Sequence, residues 1–182
     1  DWNTPQTVTV TGVADADAAS ESVTISHTVA GSDYASVTSA NVTAGVTDDD
    51  TAGVTNSSTT TALGEATTGT YTVVLNTQPT GSVTITPASG DEGAATVSGV
   101  MTFTTANWNN AQTVTVTGVA DADAAAESVT ISHTVAGSDY ASVTSANVTA
   151  GVTDDDTAGV TNSSTTTALG EATTGTYTVV LN

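Results

Sequence analysis

The sequence predicts an all-β protein made of antiparallel β-sandwich domains in tandem. Val and Thr dominate the 182 residues, and both favour strands. Short runs that alternate Val with Thr are separated by Gly, Asn and Asp, which is typical of antiparallel strands joined by turns. No run shows the period of a helix. A nearly perfect internal repeat then sets the size of the domain.

The repeat has a period of 106 residues, because residues 1–76 match residues 107–182 at all but four positions. This period is too long for a solenoid coil and fits one seven-stranded sandwich domain. We predict the C-terminal part of one repeat at 1–50, a complete repeat at 51–156 and the N-terminal part of a third at 157–182. The chain begins and ends inside the unit, so we expect it to belong to a longer array.

Alternation within the complete repeat predicts seven strands, A to G, with apolar inward rows and Thr-rich outward rows. They are placed at 53–61, 70–75, 82–87, 94–104 with a bend at Gly99, 113–119, 128–135 and 146–153. Successive antiparallel strands put their connections at alternating ends. Loops A–B, C–D and E–F should therefore share one pole with the end of strand G.

Charge excludes several classes of function. The chain has no Lys or Arg, 19 Asp plus Glu and two His, for a net charge of −19. Such a surface repels nucleic acid and anionic lipid. The absence of Cys excludes disulfides, thiolate zinc sites and cysteine nucleophiles. No run approaches the roughly 18 apolar residues of a membrane span, so we expect no membrane insertion.

The acidic residues are segregated. Nine of the ten in the complete repeat fall at one predicted pole, and Asp139 is the exception. Like charges without internal counter-charge call for a cation, and an all-oxygen ligand set in loops favours Ca²⁺. The candidate ligands are Glu65, Asp91, Asp121, Asp123, Glu127, Asp154, Asp155 and Asp156. The repeat adds the matching positions Asp15, Asp17, Glu21, Asp48, Asp49, Asp50 and Glu171.

Several motifs carry a family likeness: TVTVTG followed by ADADAAAE, TDDDTAGV closing the unit, and GEA opening the next. The complete repeat resembles the Calx-β domain family, and in particular the Calx-β-like repeats of large bacterial surface adhesins. The resemblance implies a seven-stranded immunoglobulin-like sandwich that binds Ca²⁺ at the pole where the domain ends. The positions that match the family's ligands are Glu65, Asp121, Asp123, Glu127 and Asp154–Asp156, with Asp91 in a variable loop.

The remaining polar and aromatic side chains have structural interpretations. His27 and His133 are in phase with the inward residues of strand F, which favours a hydrogen-bonded His at the sandwich edge. Trp2 and Trp108 lie in the D–E loop, where a Trp caps the sandwich or packs on a neighbour. Aromatic residues make up only 4% of the chain and no nucleophile-elbow motif is present, so we predict that the protein is not an enzyme.

The predicted function is a calcium-binding extender region of a large extracellular adhesin or surface protein of a bacterium, with Ca²⁺ stiffening the junctions between neighbouring repeats. One alternative is a self-assembling filament or matrix protein in which identical chains associate. A third hypothesis is a carbohydrate-binding module. Long identical arrays favour a spacer, because repeated units add length without new specificity.

Overall fold

The computed structural model describes residues 2–182, and their regular structure is β-strand with two short 3-10 helices and no α-helix. The all-β prediction is thus confirmed. None of the described residues forms a helix long and apolar enough to cross a membrane. The strands in chain order are β1 (Glu21–Ile25), β2 (Val42–Val46), β3 (Val54–Asn56), β4 (Thr60–Gly64), β5 (Thr68–Leu75), β6 (Val83–Ser89), β7 (Ala95–Val97), β8 (Met101–Phe103), β9 (Gln112–Gly118), β10 (Glu127–Ala136), β11 (Val148–Thr153), β12 (Val160–Asn162) and β13 (Val179–Leu181).

Strands β3 to β11 form two sheets that face each other. One has the order β3-β5-β9-β7 and is antiparallel throughout. The other has the order β4-β11-β10-β6-β8, and its only parallel pair among the described strands is β4 with β11. Inward side chains from both sheets form one buried cluster, which includes Val73, Val114, Ile85, Phe103 and Ile131. This cluster is the core of a β-sandwich.

Two of the predicted strands are wrong as single strands, because each divides between the sheets. Predicted strand A is observed as β3, which pairs with β5, and β4, which pairs with β11. Predicted strand D is observed as β7 and β8, which pair with β9 and β6. The bend expected at Gly99 is therefore the point where the chain crosses from one sheet to the other. Each divided strand thus supplies one edge strand to each sheet, and the two segments connect the sheets along both sides of the sandwich.

The parallel pair of β4 and β11 determines where the acidic residues meet. Thr153 at the end of β11 is paired with Gly64 at the end of β4, so the two strands leave the sheet side by side. Strand β10 begins at the same end, since Glu127 is paired with Val152. The pole formed by these strand ends holds Glu65, Glu127 and Asp154.

The partial repeats keep only the strands whose partners are present. In residues 2–50, β1 pairs with β2 as β10 pairs with β11. In residues 157–182, β12 pairs with β13 as β3 pairs with the end of β5. Their apolar side chains are correspondingly exposed, as at Val8 (69%) and Leu181 (80%).

Candidate metal centre

The first group of carboxylates at the pole is formed by Glu65, Asp121 and Glu127. One oxygen from each lies within 4.8 Å of the others. Glu65 follows β4 directly, and its backbone N–H donates to Thr153 O at 3.1 Å, which continues the parallel ladder by one residue. Glu127 is the first residue of β10. Asp121 lies in the β9–β10 loop, six residues before Glu127, so Glu65 is the one member of the group that comes from a distant part of the sequence.

A tight turn aims Glu65 at this group. The Thr67 hydroxyl donates to Gly64 O at 2.7 Å and accepts from Gly64 N–H at 2.9 Å. Between them, Ala66 has a φ of +52°, a left-handed conformation that is rare for a residue with a side chain. Such strain persists only where the surroundings impose it. The turn holds the Glu65 side chain beneath the pole, where it is only 5% exposed.

A second group shares Asp121 with the first and adds Asp123 and Asp154, again within 4.8 Å. Backbone N–H groups fix these carboxylates from one side. Asp123 N–H donates to Asp121 Oδ1 at 2.9 Å, and Ala125 N–H donates to Asp123 Oδ1 at 2.8 Å. Asp156 N–H donates to Asp154 Oδ1 at 2.7 Å. Each Asp is thus held through Oδ1, which leaves Oδ2 for another partner.

Three buried carboxylate oxygens at the pole have no hydrogen-bond partner among residues 2–182: Glu65 Oε1, Glu127 Oε2 and Asp154 Oδ2. Burial raises the pKa of the Glu65 carboxyl, and the carboxylates of Asp154 and Asp121 raise it further. Burial also raises the pKa of Glu127, and Asp121 and Asp123 add to the effect. Without a cation, the ionised forms of these two carboxyl groups are therefore costly at this position.

The partial repeat at the N-terminal end has a matching group. Asp15, Asp17, Glu21 and Asp48 offer four oxygens within 4.8 Å of one another. Burial raises the pKa of Glu21, and the three Asp residues raise it further. These positions correspond, 106 residues earlier, to Asp121, Asp123, Glu127 and Asp154. The same four positions therefore contribute to carboxylate groups in both copies, as one group in the first copy and divided between two groups in the second.

The other predicted ligands lie outside the three groups found among residues 2–182. Asp91 accepts from Gly93 N–H at 2.9 Å within its own turn. Asp155 is close enough to raise the pKa of Glu65, and Asp156 lines a cleft with Asp123 at the start of the next repeat. Asp49 and Asp50 line clefts at the acidic pole of the N-terminal partial repeat. Glu171 is exposed.

His133 is held in a hydrogen-bond network away from the carboxylate groups. Its Nδ1 contacts Ala146 O at 3.0 Å, so this nitrogen carries the proton and donates. Its Nε2 then accepts from the Tyr71 hydroxyl at 2.7 Å, which joins the two sheets. Burial lowers the pKa of His133 and raises that of Tyr71 to about 12. Trp108 packs against the core, whereas Trp2 is 93% exposed.

One contact at the acidic pole of the N-terminal partial repeat was not predicted from the sequence. Gln78, in the β5–β6 loop of the complete repeat, donates its backbone N–H to Ala16 O in the acidic loop of the preceding partial repeat, at 2.7 Å. A backbone donor leaves no mark in the sequence. The order of the strands could have indicated the contact. In tandem sandwiches the acidic pole of one domain faces the opposite pole of the next domain, which includes the loop between predicted strands B and C.

Comparisons with known proteins give similarities to solved structures alone. No family model matches the chain, and no curated protein matches it. Domains 4 and 5 of the S-layer protein SbsC are 20% identical over 63% of this chain and 58% of that one, with a TM-score of 0.39. A longer SbsC structure, residues 31–844, is 19% identical over 82% of this chain and 24% of that one, with a TM-score of 0.41. The chain spans less than two thirds of either structure.

Proposed function

We propose that the chain is a calcium-binding extender region of a large extracellular or cell-surface protein, bacterial and adhesin-like, built from repeats related to the Calx-β family. In this proposal the protein has no catalytic role. Its repeats supply length, and Ca²⁺ at each pole stiffens the joint between one repeat and the next.

The observation that carries the proposal is the buried carboxylate of Glu65, whose Oε1 has no hydrogen-bond partner among the described residues. A carboxylate that is 5% exposed needs a positive partner or several hydrogen bonds. Instead, carboxylate oxygens of Asp121 and Glu127 lie within 4.8 Å of an oxygen of Glu65. The chain contains no Lys or Arg that could act as the partner. A cation from solution meets this requirement.

The donor set fits Ca²⁺. Two oxygens that share one Ca²⁺ lie at most about 5 Å apart, which is twice the usual Ca–O distance. The oxygens in each group lie within 4.8 Å of one another. All of these donors are carboxylate oxygens, whereas Zn²⁺ favours His and Cys. The residues that would hold Ca²⁺ are Glu65, Asp121 and Glu127 in one group, and Asp121, Asp123 and Asp154 in the other.

The position of the site supports a mechanical role. Asp154 follows the last strand of the complete repeat, and Val160 begins the first strand of the next. The connection is short, so an ion that fixes Asp154 also restricts the direction in which the next repeat leaves. With the ion removed, the carboxylates repel one another and the connection gains freedom.

Replacing Asp121 and Asp123 together by Asn is expected to weaken Ca²⁺ binding at the complete repeat at least tenfold. Asn keeps an oxygen for the Asx turn but removes the charge that attracts the ion. Isothermal titration calorimetry on the whole chain measures the loss. The control is Asp33→Asn with Asp139→Asn, which removes the same charge outside the three groups. Equal losses in the two variants would show that total charge governs binding and would refute the site.

A further inference from the structure

The acidic loop of the first partial repeat is in direct contact with the complete repeat that follows. The Gln78 N–H donates to Ala16 O at 2.7 Å. Ala16 lies between Asp15 and Asp17, which both belong to the N-terminal carboxylate group. A hydrogen bond between two repeats therefore falls on the loop that carries two candidate ligands.

One peptide unit links this contact to a ligand. The carbonyl of Ala16 and the N–H of Asp17 belong to the same planar unit. The carbonyl accepts from Gln78, and the N–H donates to Asp15 Oδ1 at 3.2 Å. When the carbonyl is held from outside, the direction of the N–H is held too, and the Asp15 carboxylate is oriented with it.

The donor in the following repeat is itself rigid. Thr77, just before Gln78, is 3% exposed, and its N–H and carbonyl both bond to the buried Tyr140 hydroxyl, at 3.1 and 2.8 Å. Pro79, just after it, is fully buried. The Gln78 side chain donates to Thr105 O at 2.7 Å. The Gln78 N–H is therefore presented to the neighbouring repeat in a fixed direction.

The chain contains an internal comparison for this contact. The loop at Asp121–Asp123 has the same sequence as the loop at Asp15–Asp17, but among residues 2–182 no β5–β6 loop lies against it. Asp17, Ala18 and Ala19 are half-buried, whereas the three matching residues at 123–125 are exposed. The following repeat thus partly covers residues 17–19 of this loop, whereas Asp15 and Ala16 stay exposed.

We propose that the β5–β6 loop of each repeat is a positioning element for the calcium site of the repeat before it. This inference rests on the proposed function and goes beyond it, because it makes the ion affinity of one repeat depend on its neighbour. By linkage, an ion that binds the docked loop more tightly also strengthens the docking by the same factor. Calcium and the inter-repeat contact therefore reinforce each other along the array.

The test separates docking from ligation. In the full chain, Asp121→Asn with Glu127→Gln silences the site of the complete repeat and leaves the N-terminal group to be measured alone. Insertion of Gly-Ser-Gly-Ser between Thr51 and Ala52 then loosens the junction without changing any acidic residue. Calorimetry is expected to show that the insertion weakens Ca²⁺ binding at the N-terminal group about fivefold or more, since typical coupling between two sites begins at about fivefold.

The matched control is the same insertion between Thr157 and Ala158, where the surrounding sequence is identical and no β5–β6 loop docks. This control should keep the Ca²⁺ affinity of the N-terminal group within about twofold of the chain without an insertion, which is below the roughly fivefold change at which typical coupling begins. A second measurement uses amide hydrogen exchange: Ca²⁺ should slow exchange of the Gln78 N–H in the parent chain and not in the chain loosened at Thr51.

The outcomes are distinguishable. If the unaltered chain binds Ca²⁺ at the complete repeat but the Thr51 insertion leaves the N-terminal affinity unchanged, the positioning role is overturned and the proposed function stands. Equal losses from both insertions, or no binding at the N-terminal group, also overturn it. If no variant and no parent chain binds Ca²⁺, the proposed function fails first.

Discussion

Removing calcium is expected to lower the melting midpoint of the complete repeat by on the order of 10 °C. A ligand that binds only the native state at a hundredfold excess over its Kd adds about 2.7 kcal/mol of stability, and about 1 kcal/mol moves the midpoint of a domain of this size by several degrees. The measurement is calorimetric melting of the chain in millimolar Ca²⁺ and again in excess chelator. Mg²⁺ should restore less, because it demands stricter octahedral geometry.

The stabilisation by Ca²⁺ should shrink as the pH falls from 7 towards the raised pKa values of Glu65 and Glu127. The pKa values of Glu65 and Glu127 are raised from 4.5 in the calcium-free folded state, so that state binds protons more readily than the unfolded chain. Its stability in chelator therefore rises as the pH falls through these pKa values. Protons compete with the ion, so the calcium-bound state loses its advantage over the same range. The lowered pKa of His133 acts in both conditions and cancels in the difference.

Replacing Gly137 by Ala is expected to destabilise the complete repeat by about 2–5 kcal/mol. Gly137 has a φ of +105° and a ψ of 153°, a region that is essentially restricted to glycine. A Cβ at this position would also overlap Ser82 O, just before β6. Backbone strain and overpacking each cost about 1–3 kcal/mol. Urea unfolding followed by circular dichroism measures the loss.

Gly31→Ala is the matched control for this variant. Gly31 has the same sequence surroundings and a φ of +107°, but a Cβ there would meet nothing within 4 Å. It lies in the partial repeat, outside the buried core. The midpoint of the complete repeat should therefore stay within about 0.5 kcal/mol of the parent. If Gly137→Ala and Gly31→Ala destabilise the complete repeat equally, the close approach of Gly137 to Ser82 is not the reason why this position needs glycine.

Alternation predicted most of the strands because burial imposes it. Val114 and Val116 face the core while Thr113 and Thr115 face solvent, and a shift of one residue would reverse both sets. The acidic pole was predictable for the same reason, since the order of the strands fixes which loops meet. Glu65 and Glu127 are 62 positions apart, and topology brings their oxygens within 4.8 Å.

Local sequence could not predict which copies of a strand form. Residues 112–118 form β9, but the identical residues 6–12 form no strand, because the partners β5 and β7 have no counterpart beside them. Strand pairing thus depends on tertiary context more than on propensity. The division of strands A and D between sheets also lies outside the pattern, because alternation reports the face that is buried and not the partner strand.

The same dependence on tertiary context explains why some of the predicted ligands lie outside the carboxylate groups. Glu171 repeats Glu65 in sequence, yet it is exposed because no counterparts of Asp121, Glu127 and Asp154 lie beside it. Asp91 lies in the loop after β6, where its carboxylate closes a local turn with Gly93. Sequence identifies the residue types and the pole. Only the fold determines which oxygens come within reach of one ion.

The most direct test of the account is the melting of Glu65→Gln in calcium and in chelator. Gln matches Glu in size but carries no charge, so we expect the order of the two melting midpoints to reverse between chelator and calcium. In chelator the variant should melt above the parent, because repulsion with Asp121 and Asp154 is relieved; in calcium it should melt below the parent, because a ligand is lost. Glu171→Gln, the same substitution at an exposed position, should change neither midpoint. A Glu65→Gln variant that keeps the full calcium gain would contradict the account.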